Sequence, residues 1–96
     1  RGANLKGANL ERANLTNANL EFADLREVNL KGANLKGAIL RNALLIEANL
    51  EESKLEKADF SEVALLQANL TGVNLSKRNL TNCNFGSLCV NQQSNS

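Results

Sequence analysis

Every fifth residue of this chain is a large apolar side chain. Written in fives from Arg1, the sequence runs RGANL, KGANL, ERANL, TNANL and onward through eighteen quintets to residue 90, and leaves NQQSNS over. The fifth position is Leu in fifteen quintets, Phe at 60 and 85, and Val at 90. Two residues earlier stands Ala in eleven quintets and Val at 28, 63 and 73. Between these two positions lies Asn in eleven quintets and Asp at 24 and 59. Neither regular backbone buries such a pattern. In an α-helix five residues advance about 500°, so successive Leu side chains would spiral around the rod. In one continuous strand an odd period throws each successive Leu to the opposite face. A chain that turns a corner after every quintet meets the requirement, because Leu and the small residue can then point inward on every side. Stacked coils would pair their backbones at about 4.8 Å. Ala fits beside Leu because a narrow interior has room for one large side chain per side.

The other positions suit corners. The second residue of the quintet is Gly at 2, 7, 32, 37 and 72, and Asn at 17, 42 and 82. Both residue types tolerate the positive φ that a type II turn requires. The first residue is mostly charged or hydroxylated, as expected of a side chain in water.

A run of A-(D/N)-L-X-X units over residues 1–90 resembles the pentapeptide-repeat family. The resemblance implies an all-β fold, a right-handed four-sided β-helix (solenoid) with four quintets per coil. Eighteen quintets would make about 4.5 coils and a rod about 22 Å long at the strand spacing. Residues 1–90 would form the β-helix and 91–96 a polar, disordered C-terminal tail. The residues alone leave the number of sides open. At a 20-residue offset, first-position charges give the opposite pairs Arg1–Glu21, Glu21–Arg41, Glu11–Lys31, Lys31–Glu51 and Lys36–Glu56, against the like pair Lys6–Arg26. A 15-residue offset is equally complementary. A chain that opens inside a repeat at Arg1 and contains no Met reads as a domain excised from a longer protein.

Composition excludes several kinds of function. Net charge is +1, with 11 Lys+Arg against 10 Asp+Glu in a dispersed arrangement. That disfavours a nucleic-acid binder, which presents a basic patch. There is no 18-residue apolar run for a transmembrane helix and no signal segment, so the sequence names no compartment. The chain has no His, which removes the commonest neutral-pH base and metal ligand. Two Cys without His make no zinc site. The carboxylates stand outward with no nucleophile or base beside them. An enzyme, a cofactor, a metal and a small-molecule substrate are therefore not expected.

Departures from the repeat are where a specific function would sit. Ile39, Leu44 and Ala64 replace Asn or Asp, Ile46 and Leu66 replace hydrophilic first positions, and Phe22 stands at a corner. With 20 residues per coil, Phe22, Leu44, Ile46, Ala64 and Leu66 gather on one side as a contiguous apolar patch, the kind that marks an interaction site. Surface drift is the plain alternative. Ser53 takes an inward position and would need its hydroxyl bonded to backbone. Arg78 also falls on an inward position, where an unpaired guanidinium is costly, so its side chain should escape over the end of the last coil. Cys83 and Cys89 read as free thiols, with a terminal disulfide as the alternative. Asn14, Asn69, Asn74 and Asn79 open N-x-S/T sequons that the repeat generates by chance. Uncovered terminal coils should favour end-to-end or side-to-side association.

The expected function is therefore a non-catalytic scaffold or protein-binding module, with an unknown protein partner or self-association and no nucleic acid or membrane. A rigid spacer in a larger protein is the first alternative. Duplex mimicry that inhibits a DNA-handling enzyme such as gyrase, known among quinolone-resistance members of the resembled family, is the second. Lys6, Arg26, Lys31, Lys36 and Arg41 would break the acidic stripe it needs.

Overall fold

The structure, a computed structural model, describes residues 1–74. Each quintet ends in a tight turn. At every corner from Leu5–Ala8 to Leu70–Val73, the third-position amide donates to the carbonyl of the preceding central residue, at 2.8 to 3.3 Å. The second-position residue has positive φ, from 59° at Glu52 to 74° at Gly72. A closing hydrogen bond with positive φ at the third residue of four is the type II pattern. Gly and Asn were expected there, yet Arg12, Phe22, Glu27, Glu47, Glu52, Lys57, Glu62 and Gln67 adopt the same conformation. The stacked backbone imposes it against their preference.

The coil holds twenty residues. Parallel bridges pair Asn4 with Asp24, Asp24 with Leu44 and Leu44 with Ala64, and the same offset recurs in every bridge through Asn49 with Asn69. Four quintets therefore make one coil, and the fifteen-residue alternative is excluded. Coils are joined by central-residue amides that donate forward, as Leu25 does to the Leu44 carbonyl at 2.8 Å. Fourth-position amides donate back, as Asp24 does to Ala3 at 2.8 Å. Second-position amides add a third rung, as Gly7 does to Arg26 at 2.9 Å. We number the sides by their first central residue: the first side carries Leu5, Leu25, Leu45 and Leu65, and the second, third and fourth start at Leu10, Leu15 and Leu20.

The interior is built from the central and third positions. Leu25 through Leu50, Phe60 and Leu65 are almost wholly buried, with Ala and Val beside them. Each such Leu contributes about 1.5–3 kcal/mol by burial. Leu5, Leu10 and Leu15 point into the same core but are only partly buried, because the coil of residues 1–20 is covered on one face only. The central residues from Leu10 to Leu70 thus point inward and are mostly buried, as expected, with full burial from Leu20; Leu75 and Leu80 lie outside the described residues, as do Arg78, Cys83, Cys89 and the 91–96 segment. Ser53 is buried as expected, but its hydroxyl has no hydrogen-bond partner, contrary to the expected bond to backbone. The Ser53 amide is committed to the turn, and the Ala33 carbonyl one coil earlier accepts the Lys54 amide. Of the complementary charge pairs, only Arg1–Glu21 closes to an ion pair, at 3.0 Å, among the described residues.

The fourth position has a role that periodicity does not reveal. Its Asn or Asp side-chain oxygen accepts the amide two residues on, as Asn4 does from Lys6 at 3.2 Å and Asn49 from Glu51 at 3.0 Å. This Asx turn caps the corner from outside. Hydroxyls at the first position reinforce it: Thr16, Ser61 and Thr71 donate to the same oxygens.

Candidate interaction surface

The first side differs from the others in its fourth-position column, which reads Asn4, Asp24, Leu44, Ala64. The second side, by contrast, is an unbroken ladder of Asn9, Asn29, Asn49 and Asn69. In the first side's upper half the column is polar and tied down. Asp24 caps the Arg26 amide and binds the Arg26 guanidinium through both oxygens, at 2.8 and 2.7 Å. That paired hydrogen bond holds the Asp24 carboxyl down to about 2 and raises Arg26 above its usual value.

One coil further down, the caps disappear. The side chains of Leu44 and Ala64 cannot accept a hydrogen bond, so the Ile46 and Leu66 amides lack an Asx acceptor among the described residues. The first residue of each following quintet is apolar too. Ile46 and Leu66 stack at the corner after the first side, where the Glu47 amide donates to the Leu66 carbonyl at 2.9 Å. Leu44 is 39% exposed and Leu66 42%, while Ile46 and Ala64 are half-buried. These four residues, on two successive coils, form one aliphatic surface. Losing a cap forfeits about 0.5–1.5 kcal/mol of net hydrogen bonding at each corner. Violations of a local rule tend to sit at functional sites.

Phe22 lies at the edge of the same side, one coil earlier and 49% exposed. The Arg1 guanidinium sits 4.9 Å from its ring centroid, so Phe22 is engaged by the preceding coil in a cation–π contact. The structure thus brings Leu44, Ile46, Ala64 and Leu66 together and sets Phe22 beside them. Ile39 is exposed on the fourth side, away from this group. The rim carries Arg41 and Glu62 on one edge, Glu47 and Gln67 on the other. Arg41 is held at its edge by Asp59, at 3.1 Å through Nη2. Burial opposes ionisation of Asp59, yet hydrogen bonds from the Ser61 amide and hydroxyl and from Arg41 keep its carboxyl below the ordinary range. The sequence signal for the uncapped corners was present in Leu44 and Ala64, and only the cap geometry gives it meaning.

Among the described residues, no group of three or more His, Cys, Asp or Glu is arranged to hold a metal ion. No helix among them is long and apolar enough to cross a membrane.

The sequence profile of pentapeptide repeats matches the chain in eight copies, over residues 1–32, 23–61 and 43–86. No curated protein matches. Among solved structures, the chain is similar to the pentapeptide repeat protein Rfr23 from the cyanobacterium Cyanothece 51142, with 41% identity and a TM-score of 0.86 over 88% of this chain and 58% of that one. It is similar to HetL, a pentapeptide repeat protein involved in heterocyst differentiation regulation in Nostoc sp. strain PCC 7120, with 34% identity and a TM-score of 0.67 over 86% of this chain and 47% of HetL. QnrB1, a plasmid-mediated fluoroquinolone resistance protein, shares the fold at 21% identity, with a TM-score of 0.79 over 93% of this chain and 43% of QnrB1. The chain therefore spans 58% of the length of Rfr23 and less than half that of HetL and QnrB1.

Proposed function

The chain belongs to the pentapeptide-repeat family, and from that premise we propose that it is a non-catalytic protein-binding module whose working surface is the lower half of the first side. Family membership supports a right-handed, four-sided β-helix of about 4.5 coils over residues 1–90, with 91–96 as a tail. Such a rod holds its surface residues in a fixed grid, about 4.8 Å from coil to coil. Rigid presentation of that kind suits recognition, since little ordering entropy is lost on binding.

The observation that carries the proposal is the coincidence on one side of two departures from the repeat. Aliphatic side chains replace Asn or Asp at Leu44 and Ala64, which removes the corner caps, and they replace hydrophilic residues at the neighbouring first positions Ile46 and Leu66; Leu44 and Leu66 are exposed. Charges of both signs surround the group, as they do at an interface rim. HetL's involvement in regulation is consistent with a partner-binding role. A spacer role in a longer protein is compatible with this reading and needs no patch.

The test is the double change Ile46→Lys with Leu66→Glu. Both side chains lie at corners, so the far-UV circular dichroism and thermal midpoint should stay close to those of the parent. Partner recovery or self-association should fall sharply. Unchanged partners together with an unchanged oligomeric state would reduce the patch to surface drift.

A further inference from the structure

The arrangement of the first side is self-complementary, and we propose that a second copy of this chain docks there with the two rods antiparallel, the two-fold axis passing between the coil of Leu44 and the coil of Ala64. The inference rests on the reading of this side as the binding surface and names its occupant.

The geometry follows from the twenty-residue offset. Leu44 and Ala64 are bridged neighbours on adjacent coils. A two-fold axis between these coils, in the plane of the side and across the rod, places each coil against the other coil of the partner. Residues on one edge then stay opposite residues of that same edge. Leu44 meets the partner's Ala64, a large side chain against a small one. Ile46 meets the partner's Leu66, apolar against apolar. Arg41, on the opposite edge, meets the corner that carries the partner's Glu62. Symmetry makes each of these contacts twice, as an isologous interface requires.

Three features favour this arrangement over its rivals. With the rods parallel, Leu44 would face its own copy, Glu62 would face the aliphatic corner of the partner's Leu66, and Arg41 would face the corner of the partner's Ile46. That register buries charges against apolar groups, which is costly. Arg41 stands at the shared edge, where Asp59 of the fourth side binds the guanidinium through Nε and Nη2, at 3.3 and 3.1 Å. This pairing leaves the Nη1 face of the guanidinium to donate to a carboxylate across the interface. The uncapped amides of Ile46 and Leu66 lie on the edge where the partner's Gln67 and Glu47 bring acceptor groups, so the copy supplies what Leu44 and Ala64 cannot.

Sedimentation velocity of purified protein, from dilute to millimolar concentration, tests the proposal with charge reversals at the rim. The parent should show a monomer–dimer equilibrium. Arg41→Glu should place two carboxylates in each rim contact, and Glu62→Arg two guanidinium groups. Each variant alone should self-associate about tenfold or more weakly than the parent. An equimolar mixture of the two variants should recover the dimer. In that mixed dimer one rim contact pairs the introduced carboxylate with the introduced guanidinium, and the other keeps the parent pair of Arg41 with Glu62. Circular dichroism of each variant confirms the fold. A dimer indifferent to these reversals but abolished by Ile46→Lys with Leu66→Glu overturns the antiparallel register and keeps the surface. A parent monomeric at every concentration overturns the second copy, and the partner-recovery test then decides the surface separately. A dimer that survives every one of these changes overturns both.

Discussion

Leu45→Ala should destabilise the protein far more than Leu5→Ala, although the two residues occupy the same position of the repeat on the same side. Leu45 is fully buried, and Leu25 and Leu65 stack above and below it with at most 1% exposure. The coils that carry them are fixed by hydrogen bonds, Leu25 to Leu44 and Leu45 to Ala64, both 2.8 Å. The site cannot collapse around a truncated side chain without breaking those ladders. Transfer of the lost carbons and the cavity they leave then add, and the loss should be about 3–5 kcal/mol. Leu5 lies in the first coil and is only partly buried, so its neighbours can close over the gap. The loss there should be about 1–2 kcal/mol, because less apolar area is removed from water. A domain of this size has about 5–15 kcal/mol in total, so the first variant should melt much earlier in urea than the second. The chain has no Trp or Tyr, so far-UV circular dichroism is the probe. Equal losses at the two sites would refute the stacked-coil account of the core.

Ser53→Ala removes a buried hydroxyl that has no partner; it should raise stability by about 1 kcal/mol in the same urea melts, and a loss of stability would mean the hydroxyl is satisfied. Leu44→Asn supplies an Asx acceptor for the Ile46 amide. The variant should gain about 0.5–1.5 kcal/mol, slow exchange of that amide in hydrogen-exchange NMR and weaken association. Asp24 should titrate near pH 2 by carboxyl NMR. Its depressed value means that the stability from its pair with Arg26 is present above the ordinary carboxylate range and is lost as pH falls toward 2. Arg26→Ala should return the titration toward the ordinary value and flatten that acid dependence.

The core was legible in the sequence because a five-residue period has so few solutions. Leu at the fifth position and Ala at the third fix what faces inward, and among the described residues from Leu20 to Leu70 the structure buries both sets. The twenty-residue coil was not legible from charge. Exposed side chains such as Lys36 and Glu56 gain little by pairing, so their order carries no register. The bridges set the register through backbone hydrogen bonds, which no side chain announces. The turns were legible at Gly32 and Gly37 but not at Glu47 or Lys57, where packing on either side overrides a preference worth about 1–2 kcal/mol. The candidate surface was half legible. Leu44, Ile46, Ala64 and Leu66 stood out as apolar residues where polar ones recur. Their link to uncapped corners needed the Asx geometry seen at Asn4, Asn49 and the rest. Phe22 joined the group by position alone, and its engagement by Arg1 depends on side-chain conformations that spacing does not encode.

The most direct test of the proposed surface uses the fact that the chain contains two isoleucines, Ile39 and Ile46. With ¹³C-labelled isoleucine δ1 methyl groups, the spectrum reduces to one probe on the proposed surface and one exposed probe on the fourth side. As protein concentration rises from dilute to millimolar, the Ile46 methyl signal should shift and broaden while the Ile39 signal stays in place. Movement of Ile39 with Ile46 unchanged would put the contact on another side of the rod and refute the proposed surface.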